Sequence, residues 1–370
     1  MKMAKAEETV LEIDLKALGH NYKYLRSKIK PETKFMAVVK AYAYGSDSVA
    51  ISKYLQDLGA DYFAVAYVNE GIDLRNNGIT APILVLHPQK VHFKTLIEHH
   101  LEPNIYSKSI LSDFIAVAQE MGAKEYPVHL KFNTGLNRLG FSANDLPEIS
   151  KLVHQQQAIK VIALLSHLAA TEDSNEKDFT NLQLDRFNAI CKHFDALFEQ
   201  KILKHILNTS GIINYEHAQY DMVRSGIGLY GYGNEPHIDS ALQPVMTLKT
   251  IIAQKHIIRS GESVGYNRKY KPDQDIVTAT LPLGHADGIG REYGHGKTYV
   301  SVHGQLATII GNVCMDMIMV DVTNIECDEG DEVEIFGKNL SANKFAETAQ
   351  TITYEILTGL SQRIKRVLIN

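Results

Sequence analysis

The sequence predicts an α/β protein with an N-terminal (β/α)8 TIM barrel, residues 14–243, and a C-terminal, mainly antiparallel β domain, residues 244–370. Short apolar runs that begin near residues 35, 62, 82, 103, 127, 159, 205 and 220 alternate with helical stretches, which is the pattern of a barrel. Beyond residue 243 the helical periods stop, and β-branched residues and glycine dominate. No GxGxxG follows the first strand, which disfavours an open, doubly wound sheet.

The chain opens with a strand-like stretch from Thr9 to Ile13, and we expect residues 1–13 to pair with the C-terminal domain. Asp14 is the expected N-cap of the helix DLKALGHNYKYLRSKI, in which leucines recur at helical spacing. The barrel elements that follow read, in order, FMAVV, SVAISKYLQDLG, YFAVAY, NEGIDLRNNG, PILVL, HFKTLIEHH, EPNIY, ILSDFIAVAQEMG, PVHLKF, LPEISKLVHQQQ, IKVIALLSH, a long helix within 175–201, HILN and YDMVRS.

The second domain is expected to be a set of antiparallel strands followed by two helices and a last strand. No helical period separates its strand runs. The strands read VMTLKTIIAQKHIIR, DIVTATLPLG, TYVSVHGQLATIIGNV, MIMVDV and DEVEIFG; the helices read SANKFAETAQTI and YEILTGLSQR, and the last strand reads IKRVLI.

The composition and charge of the chain disfavour several classes of partner and location. The chain has 370 residues, 45% hydrophobic and 22% charged, which is ordinary for a globular protein. The net charge of -5 and the scattered basic residues disfavour nucleic acid and anionic membranes as partners. The start, MKMAKAEETVLEIDL, lacks the apolar core of a signal peptide, and no run approaches the ~20 apolar residues of a membrane span. Three cysteines without metal or disulfide spacing predict a cytoplasmic protein with no metal site.

Lys40 lies at the end of the apolar run Phe35–Val39, which reads as a strand buried on both faces. The Gly-containing loop AYAYGSD follows it. Because burial removes water from an ammonium group, a lysine here is expected to have a lowered pKa and to be nucleophilic, as Schiff-base chemistry requires. The alternative is a lysine that extends its amine to water at the rim of the sheet.

Barrel enzymes carry their chemistry at the C-terminal ends of the strands. The other predicted strand ends carry Lys131 and Arg138 (strand five), His167 (strand six), Asn208, Thr209 and Ser210 (strand seven), and Arg224, Gly226 and Gly228 (strand eight). Hydroxyls after strand seven and a Gly-rich turn after strand eight are typical of a phosphate site. With a nucleophilic lysine, a histidine able to stack on a ring and a buried arginine, this set favours pyridoxal 5'-phosphate (PLP). Each signal alone is weak, because strand-end histidines are usually structural.

These stretches resemble the alanine racemase family, the barrel-type (fold-type III) PLP-dependent enzymes, over essentially the whole chain. Nine stretches match in the family's order. They are VVKAYAYG, KFNTGLNRLG, SHLAATED, NTSG, VRSGIGLYG, SVGYN, GHADGIGR, GNVCMDM and TITYEIL.

The resemblance implies a two-base racemisation of L-alanine and D-alanine that supplies D-alanine for peptidoglycan. Lys40 matches the lysine that holds PLP covalently and is the base facing the D-enantiomer. Tyr266 matches the opposing base, which removes the α-proton of the L-enantiomer. In the family this tyrosine comes from the second subunit, so a homodimer with shared active sites is implied.

The remaining site residues are also assigned by resemblance. The cofactor-binding set is Lys40, Tyr44, His167, Thr209, Arg224, Gly226, Ile227 and Tyr354, and the substrate-binding set is Arg138, Met315 and Asp316. Arg224 matches the partner of the pyridine nitrogen. An arginine leaves that nitrogen unprotonated and so weakens the electron sink, which favours a racemase over a decarboxylase. Tyr266 needs help to ionise from a pKa of about 10, and Arg291 is a candidate for that help.

Two positions carry open alternatives. Lys131 and Arg138 repel each other unless an anion lies between them, and parts of the family carbamylate this lysine. Asn133 replaces an acidic residue frequent in this motif, so Lys131 is a candidate for carbamylation, with the free amine as the alternative. His285 stands where a tyrosine commonly narrows the entrance, which predicts a wider entrance sensitive to pH near ~6.5, or a histidine that caps a loop.

Other functions stay open at the level of sequence. A serine racemase or a broader amino-acid racemase of the same fold would share every motif. A non-catalytic PLP-binding protein of the same barrel class would lack the domain that carries Tyr266 and Met315. A class I aldolase would also use a strand-end lysine, but it would have no use for a ring-stacking His167.

Overall fold

The computed structural model describes residues 6–369 of the chain. Residues 1–5 and 370, to which the predicted domain ranges extend, lie outside the described residues. The chain forms two compact units. We call the first the barrel unit, made of Gly19–Ala43 and Ser48–Leu242, and the second the β unit, made of the chain up to Leu18, Tyr44–Asp47 and the chain from Gln243.

The strands of the barrel unit are parallel and lie in the order β8-β7-β6-β5-β4-β3-β2-β9. In the described residues this is an eight-stranded, nearly closed barrel, as predicted. The strands are β2 (Lys34–Val38), β3 (Tyr62–Val65), β4 (Ile83–Val85), β5 (Glu102–Ile105), β6 (Tyr126–Lys131), β7 (Ile159–Leu165), β8 (Leu203–His205) and β9 (Met222–Ser225). The helices between and after them are α3 (Ser48–Asp57), α4 (Val68–Asn76), α5 (Phe93–Glu98), α6 (Lys108–Glu120), α7 (Leu146–His154), α8 (Lys177–Leu197), α9 (Thr209–Asn214) and α10 (Pro236–Asp239).

One cluster of the barrel's core is apolar and fully buried. Its members are Met36, Tyr62, Ala64, Leu84 and Met222, from β2, β3, β4 and β9. Met36 and Ala64 belong to strands that are apolar at nearly every position, as expected for a parallel sheet covered on both faces. Burial of each larger side chain contributes about 1.5–3 kcal/mol, so this cluster stabilises the barrel.

The β unit contains a nine-stranded sheet among the described residues, in the order β11-β12-β15-β14-β13-β16-β10-β1-β17. The strand β1 (Val10–Asp14) is antiparallel to β10 and parallel to β17. The others are β10 (Met246–Ile251), β11 (Gln254–Ile258), β12 (Ile276–Leu281), β13 (Tyr299–Val302), β14 (Gln305–Ile310), β15 (Ile318–Asp321), β16 (Glu332–Phe336) and β17 (Lys365–Ile369). The helices α11 (Ala342–Thr348) and α12 (Thr353–Gly359) precede β17.

The helix α1 (Leu15–Ser27) begins where the sequence predicts. The Asp14 carboxylate accepts a hydrogen bond from the backbone N–H of Ala17 at 2.9 Å, so Asp14 caps the helix. Among the described residues, no helix is long and apolar enough to cross a membrane.

The segment after β2 differs from the prediction. The strand ends at Val38, and Lys40 is the first residue of a short helical segment, α2 (Lys40–Gly45), instead of the last residue of the strand. This segment is left-handed, because its residues from Ala41 to Tyr44 have φ between 52° and 57°. Left-handed backbone costs about 1–2 kcal/mol for each residue with a side chain, so tertiary contacts must hold α2 in place.

Candidate active site

The barrel unit brings four predicted cations, Lys40, Lys131, Arg138 and Arg224, together at the C-terminal ends of its strands. Burial is the main cause that lowers the pKa of Lys131, to about 8, and the charges of Arg138, Arg224 and Lys40 lower it further. The pKa of Lys40 is likewise lowered by burial and then by Arg138. Four positive groups that act on one another in this way form a site for an anion.

The carboxylate of Glu70, on α4, binds the backbone next to Lys40 and the backbone that follows β3. One carboxylate oxygen accepts from the N–H of Ala41 at 2.6 Å, and the other accepts from Ala66 at 2.6 Å and from Tyr67 at 3.0 Å. These bonds join the start of α2 to the end of β3. The carboxylate also raises the pKa of Lys40 and so opposes part of the effect of burial.

Lys131 is 7% exposed and lies at the end of β6. Asn133, two residues on, does not supply the missing negative charge. Its amide oxygen accepts from Gly135 at 3.1 Å and from Asn137 at 3.0 Å, so this side chain closes the loop that leads to Arg138. Arg138 itself is exposed.

Arg224 is buried on β9, with 5% of its surface exposed. Burial lowers its pKa to about 10, so the guanidinium remains cationic at neutral pH. It donates to the carbonyl oxygens of Ser166 at 2.8 Å and Ile206 at 3.0 Å, and to Nδ1 of His167 at 3.3 Å. Burial and then Arg224 lower the pKa of His167 well below its usual value, so this ring is neutral.

The turn after β9 and the start of α9 form a cradle of hydroxyl and N–H groups. The hydroxyls of Thr209 and Ser225 lie 3.0 Å apart, and Thr209 accepts from the N–H of Gly228 at 3.3 Å. A Cβ at Gly228 would lie 2.5 Å from Cγ2 of Thr209, so only glycine permits this close approach. Gly226 and Ile227 begin a 3-10 helix here, where the first N–H groups are not used within the helix.

Sequence reasoning missed two residues at this mouth. One is Glu70, which no strand-end pattern singles out because it lies on a helix. The other is His87, two residues past β4, whose pKa is lowered by burial and then by Lys40, Lys131 and Arg138. Inspection of every strand end, including that of β4, would have found the histidine.

In the β unit, Tyr266 and Met315 line one open cavity of about 490 Å³, together with Cys314 and Asp316. Tyr266 is 70% exposed and Met315 is 59% exposed, which is unusual for side chains of this size. Asp316 accepts from Arg363 at 2.7 Å, and Arg363 also bonds both carboxylate oxygens of the buried Asp287.

Arg291 does not contact the phenol of Tyr266 in the structure. It donates to the amide oxygen of Asn312 at 2.9 Å, and the Asn312 amide donates to the backbone carbonyl of Tyr266 at 2.8 Å. Arg291 therefore positions the tyrosine's backbone through Asn312. The prediction that it assists the phenol remains a prediction, as does the effect of the exposed His285 on the entrance.

Tyr44 and Tyr354, both predicted to bind phosphate, lie together in the β unit. Their ring centroids are 6.0 Å apart. Burial is the main cause that raises the pKa of Tyr44, so its hydroxyl stays protonated and able to donate. Gly45 follows at a φ of +84°, where a Cβ would lie 1.9 Å from the carbonyl oxygen of Leu357, so this close contact with α12 requires glycine.

Comparison with known proteins adds an independent line of evidence. Residues 13–234 match the family "Alanine racemase, N-terminal domain", and residues 245–368 match "Alanine racemase, C-terminal domain". The chain is 34% identical to "Alanine racemase 2" of Caldanaerobacter subterraneus subsp. tengcongensis, over 98% of this chain and 95% of that protein.

Solved structures agree. The alanine racemase from D-cycloserine producing Streptomyces lavendulae superposes with a TM-score of 0.93 at 28% identity, over 99% of this chain and 98% of that one. The alanine racemase from Bartonella henselae, with covalently bound pyridoxal phosphate, superposes with a TM-score of 0.88 at 29% identity, over 98% of this chain and 100% of that one. Both halves of the sequence and the whole fold thus lead to one conclusion: the chain belongs to the alanine racemase family.

Proposed function

We propose that this protein racemises L-alanine and D-alanine with PLP, by a two-base mechanism in a homodimer. The observation that carries the proposal is the cationic mouth of the barrel, where a half-buried lysine with a lowered pKa shares its surroundings with a buried arginine. A lysine of this kind is a nucleophile and a base, and the surrounding cations attract an anion.

The residues of the barrel unit fit PLP. The cradle around Gly228 offers hydroxyls of Thr209 and Ser225, and N–H groups of Gly226 and Ile227, which are donors suited to a phosphate. Arg224 offers a buried donor for a ring nitrogen, and the neutral His167 is a partner for a ring face. We assign Tyr44 and Tyr354 to the same phosphate because the Tyr44 hydroxyl stays protonated.

When bound, PLP stabilises negative charge at the α-carbon of an amino acid. The chain's own residues then have to take the α-proton from one face and return one to the other. Lys40 is the base for one face, because burial lowers the pKa of its amine and so increases the fraction that is neutral and able to accept a proton. Arg224 stays cationic and donates without giving up its proton, which limits the withdrawal of charge into the ring.

Tyr266 is assigned to the other face and reaches it from the second subunit. Its 70% exposure, beside the exposed side chains of Met315 and Met317, leaves an apolar patch on the β unit that a second copy would cover. Met315 and Asp316 border the same cavity as Tyr266, so they are assigned with Arg138 to the substrate carboxylate.

The test is α-hydrogen exchange in D2O with PLP-loaded protein and each enantiomer of alanine, beside Lys40→Ala and Tyr266→Phe. We expect wild type to exchange and interconvert both enantiomers, and Tyr266→Phe to lose mainly exchange from L-alanine. PLP-loaded wild type that exchanges no α-hydrogen would contradict the proposal. The same assay with L-serine separates an alanine racemase from a serine or broader racemase.

We further propose that the protein acts in the cytoplasm, without nucleic-acid or membrane partners, and supplies D-alanine for peptidoglycan. Three free cysteines, Cys191, Cys314 and Cys327, support the cytoplasm as the place of action, and the net charge of -5 supports the absence of nucleic-acid and membrane partners. Support for the role of D-alanine is family membership. Deletion of the gene in its host is expected to create a requirement for D-alanine, and normal growth without it would contradict this role.

A further inference from the structure

A chain of hydrogen bonds crosses the interior of the barrel unit below the proposed active site. Nε2 of His129 lies 2.7 Å from a carboxylate oxygen of Glu102. Nδ1 of His129 lies 3.4 Å from Nε2 of His205, and Nδ1 of His205 lies 2.7 Å from a guanidinium nitrogen of Arg224. Glu102 is 8% exposed, and both histidines are fully buried.

The residues at the two ends of this series of hydrogen bonds, Arg224 and Glu102, determine which nitrogen of each histidine carries the proton. A guanidinium has donors only, so Arg224 donates and Nδ1 of His205 accepts. A neutral His205 then carries its proton on Nε2 and donates to Nδ1 of His129. His129 in turn carries its proton on Nε2 and donates to the Glu102 carboxylate, which has acceptors only when ionised.

Other protonation states conflict with the same contacts. A cationic His129 would donate through Nδ1 and force the proton of His205 onto its Nδ1, where it would meet an N–H of Arg224. Burial, followed by the charge of Arg224, also lowers the pKa of His205 well below its usual value. Both imidazoles are therefore neutral, between a cation at one end and an anion at the other.

We propose that Glu102 and His129 are positioning residues of the active site. Glu102 holds the proton of His129 on Nε2, so that Nδ1 of His129 accepts from His205 and holds the His205 ring in place. The contact of that ring with Arg224 then keeps the guanidinium in the orientation that faces the cofactor. A glutamate suits the far end of the chain because an amide there is able to rotate and donate, whereas a carboxylate is not. The kinetic part of this proposal rests on the proposed racemase function; the tautomers do not.

The first test is solid-state ¹⁵N NMR of the purified protein labelled at the histidine ring nitrogens, without substrate. His129 and His205, assigned by the loss of their signals in His129→Gln and His205→Gln, are expected to be neutral and protonated on Nε2 at pH 7.5. An Nδ1-protonated or cationic ring at either position would overturn the proposal, whether or not the protein proves to be a racemase.

The second test compares Glu102→Leu with Glu102→Gln. The leucine leaves the Nε2–H of His129 without an acceptor, so we expect the tautomer of His129 to change and its hydrogen bond from His205 to be lost. With His205 held less firmly, kcat for alanine should fall ~10-fold to ~100-fold, with KM little changed. The glutamine keeps an acceptor, and Arg224 still fixes the direction, so it is expected to restore the wild-type spectrum and kcat to within about threefold.

The matched control is Glu12→Leu in the β unit. Glu12 is 7% exposed and bonds the amine of Lys249 at 3.1 Å, so its loss also removes a buried, paired carboxylate. We expect it to lower stability while the spectra of His129 and His205 stay unchanged. A wild-type tautomer and unchanged kcat in Glu102→Leu would show that Glu102 is merely structural.

Discussion

At the scale of single residues, burial without a counter-charge distinguishes the lysines of this protein. Lys131 and Lys249 are each 7% exposed. Lys249 lies 3.0 Å from Glu12 and 3.2 Å from Glu332. Although burial alone would lower the pKa of Lys249, these carboxylates raise it on balance, whereas Lys131 has cationic neighbours and its pKa falls to about 8. Equal burial thus leads to opposite protonation behaviour.

We therefore predict that Lys131 reacts with CO2 and that Lys249 does not. Only a neutral amine attacks CO2, so carbamate should increase as the pH rises through about 8, where Lys131 loses its proton. The measurement is ¹³C NMR of protein equilibrated with ¹³C-bicarbonate between pH 7 and 9. Lys131→Met should abolish the carbamate signal and Lys249→Met should retain it; the reverse result would refute the assignment.

Glu70 is the residue whose loss should reveal how α2 is held. Glu70→Gln replaces one of two accepting oxygens with an NH2 group that faces backbone N–H donors. We predict a loss of about 1–3 kcal/mol in the free energy of unfolding, measured by urea denaturation. Glu98→Gln, an equal change of charge at an exposed position of α5, should change it by less than ~0.5 kcal/mol. Equal effects of the two substitutions would argue against the clamp.

Glu70 also acts on Lys40 through charge. Its carboxylate raises the pKa of Lys40, so Glu70→Gln should lower that pKa further and shift the acidic limb of the pH–rate profile to lower pH. A shift to higher pH would contradict this sign.

At the scale of elements, the left-handed conformation of α2 is the feature of the fold that the sequence does not predict. We predict that Ala41→Gly stabilises the protein by about 0.5–1 kcal/mol, because glycine adopts a positive φ without steric cost. The gain is smaller than that cost, since glycine also increases the conformational entropy of the unfolded chain. Ala50→Gly, in the right-handed α3, should destabilise it by about 1 kcal/mol. Thermal and urea unfolding of both variants measure the difference, and destabilisation by Ala41→Gly equal to that by Ala50→Gly would contradict the account.

The helical spacing of apolar residues, and the alternation of helical stretches with apolar runs, predicted the barrel strands and helices well. Each helix must cover the sheet with one apolar face, and each strand is buried on both faces. The handedness of α2 was not predictable in this way. AYAY contains no glycine, and the contact that holds it, from Glu70 to Ala41, joins residues 29 positions apart. For the same reason the strand end was placed at Lys40 instead of Val38.

Candidate site residues were predictable where they lie at or just after the end of a strand, as Lys40, Lys131, His167 and Arg224 do. The buried partners of Arg224 were not, because histidines inside a strand have no pattern of their own. His129 does share a strand face with Lys131, two residues away, and that alternation is the signal that could have found it.

At the scale of the whole molecule, the β unit resumes at Gln243, and the sequence changes from helical periodicity to runs of β-branched residues near the same position. The inclusion of Tyr44–Asp47 in that unit was not predictable, since it depends on contacts such as that of Gly45 with Leu357. The exposed patch of Tyr266, Met315 and Met317 shows in turn that the β unit presents its proposed catalytic residue on an open surface.

The most direct test of the central claim is therefore complementation between two inactive chains. Lys40→Ala and Tyr266→Phe are co-expressed with different affinity tags, and the mixed dimer is purified through both tags. If Tyr266 of the partner subunit completes the site, one site of the two holds both bases, and about half of the wild-type racemase activity per dimer should return. If the mixed dimer is no more active than the two parent variants, the shared two-base site proposed for this protein is wrong.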